Sequence, residues 1–178
     1  MNTRIIARAA ALATVAAAGL LGPAGPARAL TVDMTCSAAF ELDFTPPLTA
    51  TQTTSTAVGR AGIVGCLPLT VRAAGLQSAA VTATGQVTSS GLAPCNLLLT
   101  ITGTGRFLWN TGQQSHFVFT INTDPTAGTI TLSATITSGR LAGDTITAVP
   151  VLAHPNVDCA VTGLTRLTSE LAALTFTT

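Results

Sequence analysis

The residues in this sequence able to do chemistry are few, and their spacing limits what they can do. Cys36, Cys66, Cys95 and Cys159 are separated by 30, 29 and 64 residues. No C-x-x-C occurs, so neither a zinc site nor a dithiol redox motif is suggested. No cation flanks any of the four that would make a thiol reactive. An even cysteine count in an exported chain reads as two disulfides, with three possible pairings. Cys36–Cys66 with Cys95–Cys159 is the expected pairing, because each bridge then staples one half of the chain.

Two histidines follow the signal-like N-terminus. His116 lies beside Ser115, and His154 stands four residues before Asp158. Ser115, His154 and Asp158 have the right types for a nucleophilic triad, but no G-x-S-x-G elbow accompanies them. The expectation is a solvent-facing His116 on a strand and His154 in a polar loop. Metal binding by His154 with Asp158 would need a third ligand that the spacing does not offer. A calcium loop would need clustered Asp and Asn oxygens. Glu41 and Asp43 share a strand face; glycoside hydrolysis would need two carboxyls about 5–9.5 Å apart across a cleft, and a solvated edge is expected instead. No catalytic, cofactor-binding or metal-ligating residue is assigned, no cofactor is expected, and the chain reads as a non-enzyme.

Binding is the better-motivated class. Phe107, Trp109, Phe117 and Phe119 cluster around one expected hairpin in a chain with few aromatics. Their main expectation is a shared hydrophobic core. The alternative is an aromatic platform or pocket for a hydrophobic small molecule or a glycan. A sandwich with neutral, threonine-rich faces could also assemble edge to edge in a cell-envelope layer.

The elements that must position these residues are nearly all strands. Thr31–Phe44 reads as a first strand ended by Pro46-Pro47, and 48–58 continues in extended form. Gly59, Gly62 and Gly65 interrupt the pattern before Cys66. Gln77–Thr88 alternates, Gly91–Pro94 turns, and Asn96–Trp109 is a long strand whose Gly103 and Gly105 suggest a bulge or bend. Trp109-Asn110-Thr111-Gly112-Gln113 is a hairpin tip. Phe117, Phe119 and Ile121 then face one way, and His116, Val118 and Thr120 the other. Asp124–Gly128 turns, and Ile130, Leu132, Ala134 and Ile136 share a face. Thr145–Leu152 reads as an edge strand because it holds Pro150. Cys159–Leu164 and Leu171–Phe176 complete the set, with one helical turn conceivable at Ser169–Leu174.

Turns every 8–14 residues and no crossover helices indicate an all-β domain. The expected fold is a single antiparallel β-sandwich, immunoglobulin-like with Greek-key links, or a partly closed barrel. Trp109 lies 14 residues after Cys95, loosely echoing the buried tryptophan of immunoglobulin domains.

Residues 1–29 read as a secretory signal. Arg4 and Arg8 precede an apolar run from Ala9 to Leu21, then comes Gly-Pro-Ala-Gly-Pro and an Ala27-Arg28-Ala29 cleavage site. The run is shorter than the roughly 20 residues a spanning helix needs. Residues 30–178 are then one secreted domain. They hold five arginines, no lysine and seven acids, a net charge of −2. So sparse a charge is poorly suited to nucleic acid or anionic lipid. Threonine replaces it, with 31 of these 149 residues, a β-branched type with a neutral polar face.

Cys36, then Phe44-Thr45-Pro46-Pro47-Leu48-Thr49, a Gly-flanked Cys66, Cys95, the Trp109–Ser115 hairpin, Gly139–Gly143 and the late Cys159 together resemble a group of small secreted actinobacterial proteins of streptomycete type. The resemblance spans nearly all of 30–178 and implies fold and location, with no active site. A compositional likeness to the enediyne apoproteins of the neocarzinostatin type, secreted two-disulfide sandwiches, implies ligand carriage. Their cysteines close short local loops, from which the long gaps here depart. Partner and ligand are left open, as an envelope component, a glycan or a hydrophobic molecule. A secreted hydrolase or a protease inhibitor is the remaining alternative.

Overall fold

The computed structural model describes residues 30–90, 95, 98–124 and 127–178. The expected signal at 1–29, the turn expected at 91–94 and Pro125-Thr126 of the next turn lie outside the described residues.

Six long strands come first: β1 (Val32–Leu48), β2 (Thr54–Pro68), β3 (Ala79–Ser89), β4 (Leu99–Trp109), β5 (Gln114–Asp124) and β6 (Thr129–Gly139). Each pairs antiparallel with the next. Four short strands follow, β7 (Thr145–Ala148), β8 (Val151–Pro155), β9 (Leu164–Ser169) and β10 (Ala172–Thr177), with a single helical turn α1 (Cys159–Thr162) between β8 and β9.

The register turns these four pieces into two bulged strands. On β6, Ser133 faces Thr147 and Ile130 faces Val151, so β7–β8 carries one extra residue at Val149-Pro150. On β1, Ala38 faces Ala172 and Glu41 faces Thr168, so β9–β10 carries one extra residue at Glu170-Leu171. Between the two composite strands the register is unbroken, from Leu174 opposite Ala148 to Ala153 opposite Ser169. Proline cannot donate to a ladder, which accounts for the interruption at Pro150. Since β9–β10 returns to β1, the sheet closes on itself. The result is an antiparallel up-and-down barrel of eight strand positions.

The all-β class and both disulfides, Cys36–Cys66 and Cys95–Cys159, are as expected. Of the two architectures left open, the pairing forms the barrel. All strands belong to one sheet and neighbours in space are neighbours in sequence, so immunoglobulin-like packing of two sheets with Greek-key links is absent from the described residues. Trp109 packs against Phe107 and Phe176. Local differences have local causes. β1 runs through Pro46-Pro47, and β2 runs through Gly59 and Gly62; only Gly65, with φ +60°, accompanies a register shift against β1. Cys159–Thr162 is a helical turn because Asp158 O accepts from the amides of Val161 and Thr162. Residues 172–174, inside the span where a helical turn was conceivable, are strand.

Strand alternation fills the interior. Phe117, Phe119 and Ile121 point inward from β5, and Ile130, Ala134 and Ile136 from β6. Across from them β4 carries Gly103 and Gly105 with no break in register. A Cβ on Gly105 would sit 2.3 Å from Phe117 Cζ, and one on Gly103 2.9 Å from Phe119 Cε1. These glycines make room for rings, where a bulge was expected. Large residues on β5 thus lie over small ones on the neighbouring β4, an alternation of sizes that fills a narrow barrel.

Candidate functional site

The barrel interior is the first place to look for a binding site. The four aromatics of the β4–β5 hairpin are all buried there, with Phe107 and Phe117 centroids 4.5 Å apart and Phe107 and Trp109 5.2 Å apart. They form core, the main expectation from sequence, and not a surface platform. A residual cavity of about 90 Å³ remains at mid-height, lined by Phe107, Phe117, Phe119, Leu132, Ile146 and Leu174 among other apolar groups. It is smaller than the roughly 150 Å³ engineered cavity that stays dry and takes benzene. It falls several-fold short of the about 300–1,000 Å³ typical of drug-sized ligands.

The hairpin tip shows how its sequence works. Gly112 takes φ +77°, and its amide bonds to Trp109 O at 2.8 Å. The side chain of Asn110 holds the neighbouring loop, accepting from the Gln77 amide at 2.9 Å and donating to Gly75 O at 3.1 Å. Trp109 Nε1 donates to Ser115 Oγ at 2.9 Å, and that hydroxyl donates to Arg140 O at 2.7 Å. Ser115 is fully buried. Its hydroxyl proton is therefore committed to a carbonyl, the opposite of what a nucleophile needs.

The three types once considered as a triad are not brought together. Ser115 faces Gly139 at one end of β6, whereas β8, which carries His154, meets β6 at Thr129 and Ile130 near its other end. At about 3.3 Å per strand residue the two ends are roughly 30 Å apart. His154 instead lies 3.5 Å from Glu170, both more than half exposed, and Asp158 is exposed beside α1. Among the described residues no group of three or more His, Cys, Asp or Glu could hold a metal. Glu41 and Asp43 do share a face, and Arg166 spans them, with Nε 2.8 Å from Asp43 Oδ1 and a terminal nitrogen 3.7 Å from Glu41 Oε1. The hydrogen bond and charge of Asp43, with the charge of Glu41, raise the guanidinium's pKa above its ordinary value.

Two polar arrangements were not foreseen. The first closes the Trp109 end of the barrel. Asp33 and Asp144 are both buried, and Arg72 lies between them, 2.5 Å from Asp33 Oδ2 and 2.8 Å from Asp144 Oδ1. The hydroxyls of Thr70 and Thr178 also donate to Asp33. Burial pushes the Asp33 carboxyl up, but the Thr178 and Thr70 hydroxyls and the Arg72 charge outweigh it and hold it below its ordinary range. Burial pushes Asp144 above its range, Arg72 opposing and Asp33 adding to the rise. Asp144 Oδ2 has no hydrogen-bond partner among the described residues. Sequence offers no signal for this cluster, because its members are separated by 39 and 72 residues.

The second lies on the outer wall. A concave saddle of about 600 Å³ crosses β2 to β6, and Arg60, Thr82, Arg106 and His116 stand in one row across it. All four are exposed. Alternation places these polar residues outward, but which strands lie side by side comes from the barrel.

Fold and site together define a closed, disulfide-bonded antiparallel β-barrel with an apolar interior and a cationic outer saddle. No family model, curated protein or solved structure matches the chain.

Proposed function

We propose that this chain is a non-catalytic exported protein that acts by binding, outside the cell or at its envelope. The observation that carries this reading is the state of the side chains suited to chemistry. The cysteines are all bonded in pairs, Ser115 is locked inside, His154 and Ser115 sit at opposite ends, and the Glu41–Asp43 pair is spanned by an arginine. Two disulfides in so small a domain fit an oxidising compartment. The signal-like 1–29 and the resemblance to secreted actinobacterial proteins support the same location.

The test is native and denaturing mass spectrometry of the full-length gene product recovered from culture medium. The expected species begins near Leu30, carries both bridges and is unlabelled by an active-site fluorophosphonate. Retention in the cytoplasm with free thiols, or labelling at Ser115, would sink the proposal.

A second reading, carriage of a small apolar guest, is favoured by the cavity among Phe107, Phe117 and Phe119. At about 90 Å³ it suits only a guest well below drug size unless the rings turn aside. A retained apolar mass in the native spectrum would favour it.

A further inference from the structure

The arginines of the described domain divide into two kinds. Arg72 is held by Asp33 and Asp144, Arg166 by Asp43 and Glu41, and Arg140 donates to the carbonyls of Arg72 and Ala74. The other two are Arg60 and Arg106, and both face the outer saddle. Among the described residues neither has an ion-pair partner. Arg106 uses only its Nε, donating to Thr82 Oγ1 at 3.2 Å, which leaves both terminal nitrogens free. The Arg60 side chain makes no hydrogen bond among the described residues. Glu41 stands directly opposite Arg60 on β1, but its carboxylate lies against Arg166.

The rest of the saddle is donor-rich as well. His116 lies directly opposite Arg106, and the hydroxyls of Thr82 and Thr104 line the same surface, while that of Thr137 donates to His116 O at 3.2 Å. No carboxylate lines it. One strand separates Arg60 from Arg106, so two inter-strand spacings set their backbones about 10 Å apart. Two guanidinium forks with hydroxyls between them suit an acceptor-only group with several oxygens.

We propose that this saddle binds a phosphate-type oxyanion ligand with at least two charges, one held by Arg60 and the other by Arg106. Two arginines are too few to hold duplex DNA, whose binding relies on many neutralised phosphates. Single strands use platforms of several aromatic rings, whereas here Phe117 is buried inside the barrel and the saddle exposes one ring, the His116 imidazole. A short polyphosphate, or a phosphodiester polymer of a cell surface, presents the matching chemistry.

Isothermal titration of the disulfide-intact protein at low salt tests this, with linear polyphosphate, poly(glycerol phosphate) and orthophosphate as probes. At least one of the two polymers is expected to bind saturably, the better one identifying the source, and orthophosphate at least about tenfold more weakly. Arg60→Gln and Arg106→Gln should each weaken polymer binding about tenfold, as a charge-assisted bond implies, and together abolish it. Arg166→Gln, away from the saddle, should change it by less than about twofold. Absence of saturable binding by both polymers, equal loss in Arg166→Gln, or unchanged binding in the Arg60 and Arg106 variants would overturn the site. Orthophosphate binding as tightly as the polymers would overturn the two-charge spacing. The Arg60 side chain has no hydrogen bond or ion pair among the described residues, so Arg60→Gln carries the test even if Arg106→Gln proves unstable.

Discussion

The two ends of the barrel are shut by different physics. Where β4 meets β5, side chains do the work. Leu76 and Leu141 are buried there, Trp109 stacks on Phe107 and abuts Phe176, and Arg72 bridges two buried carboxyl groups. At the far end a covalent bond does much of it. Cys95 belongs to the β3–β4 connection and Cys159 to the β8–β9 connection, and these stand diametrically opposite among eight strand positions. The bridge therefore crosses the mouth. Cys36–Cys66, by contrast, joins neighbouring strands that are already paired. One mouth is thus shut by packing and charge, with Cys36–Cys66 tying two paired strands beside it, and the other by a bridge that spans it.

Removing one closure at a time should separate these dependences. Trp109→Ala should have the largest effect, about 4–5 kcal/mol, since it empties a fully buried site and strips Ser115 of its donor. Chemical denaturation would measure it, and a loss below about 2 kcal/mol would mean that the end collapses to fill the gap. Replacing Cys95 and Cys159 with Ala should cost up to about 4 kcal/mol, the chain-entropy value for a 64-residue loop. Amide exchange should then accelerate around Leu99 and Leu164 more than around Trp109. Uniform acceleration would show that the strap acts only through the unfolded chain.

The smallest of the three effects is expected at Asp33. Asp33→Ala removes one of Arg72's two carboxyl partners and the acceptor of two hydroxyls, and should cost about 2–3 kcal/mol, tempered because Arg72 is 39% exposed and keeps Asp144. Asp33 also gives the Trp109 end an acid dependence. Its folded pKa is depressed, so its contribution is present above the carboxylate's unfolded value near 3.8 and fades as pH falls through the lower folded value. Asp144 has the reverse sign: its folded pKa is raised, so its ionisation opposes folding as pH rises through that value. Asp144→Asn should therefore steepen the acid-side loss that Asp33→Ala removes. Thermal melts across the acid range would check both, and identical profiles for the two variants would contradict the assignment.

Much of this molecule was legible in its sequence, and the remainder failed for identifiable reasons. Alternation at 117–121 and 130–136 gave the inward faces correctly, because one side of each strand is buried. The disulfide pairing followed from chain halves. Closure was not legible: whether strands form one curved sheet or two stacked sheets depends on register between Ala38 and Ala172, distant in sequence. Gly103 and Gly105 misled because their role lies in the rings opposite them, not in their own strand. The Asp33–Arg72–Asp144 cluster and the Arg60–Arg106 row were invisible for the same reason, as each joins residues from separate strands or turns far apart in sequence.

The seam between β1 and β9–β10 also sets an order of events during folding. Every other pairing joins neighbouring strands of the meander and can form as a local hairpin, but Phe40 must find Ser169 across 129 residues. Closing that loop is the entropically slow step in a chain whose other contacts are nearer. Until it happens, the 17-residue β1 offers a free hydrogen-bonding edge. A second copy caught at the same stage can supply the missing strand. Closure of the barrel is therefore what removes the edge through which two copies could pair.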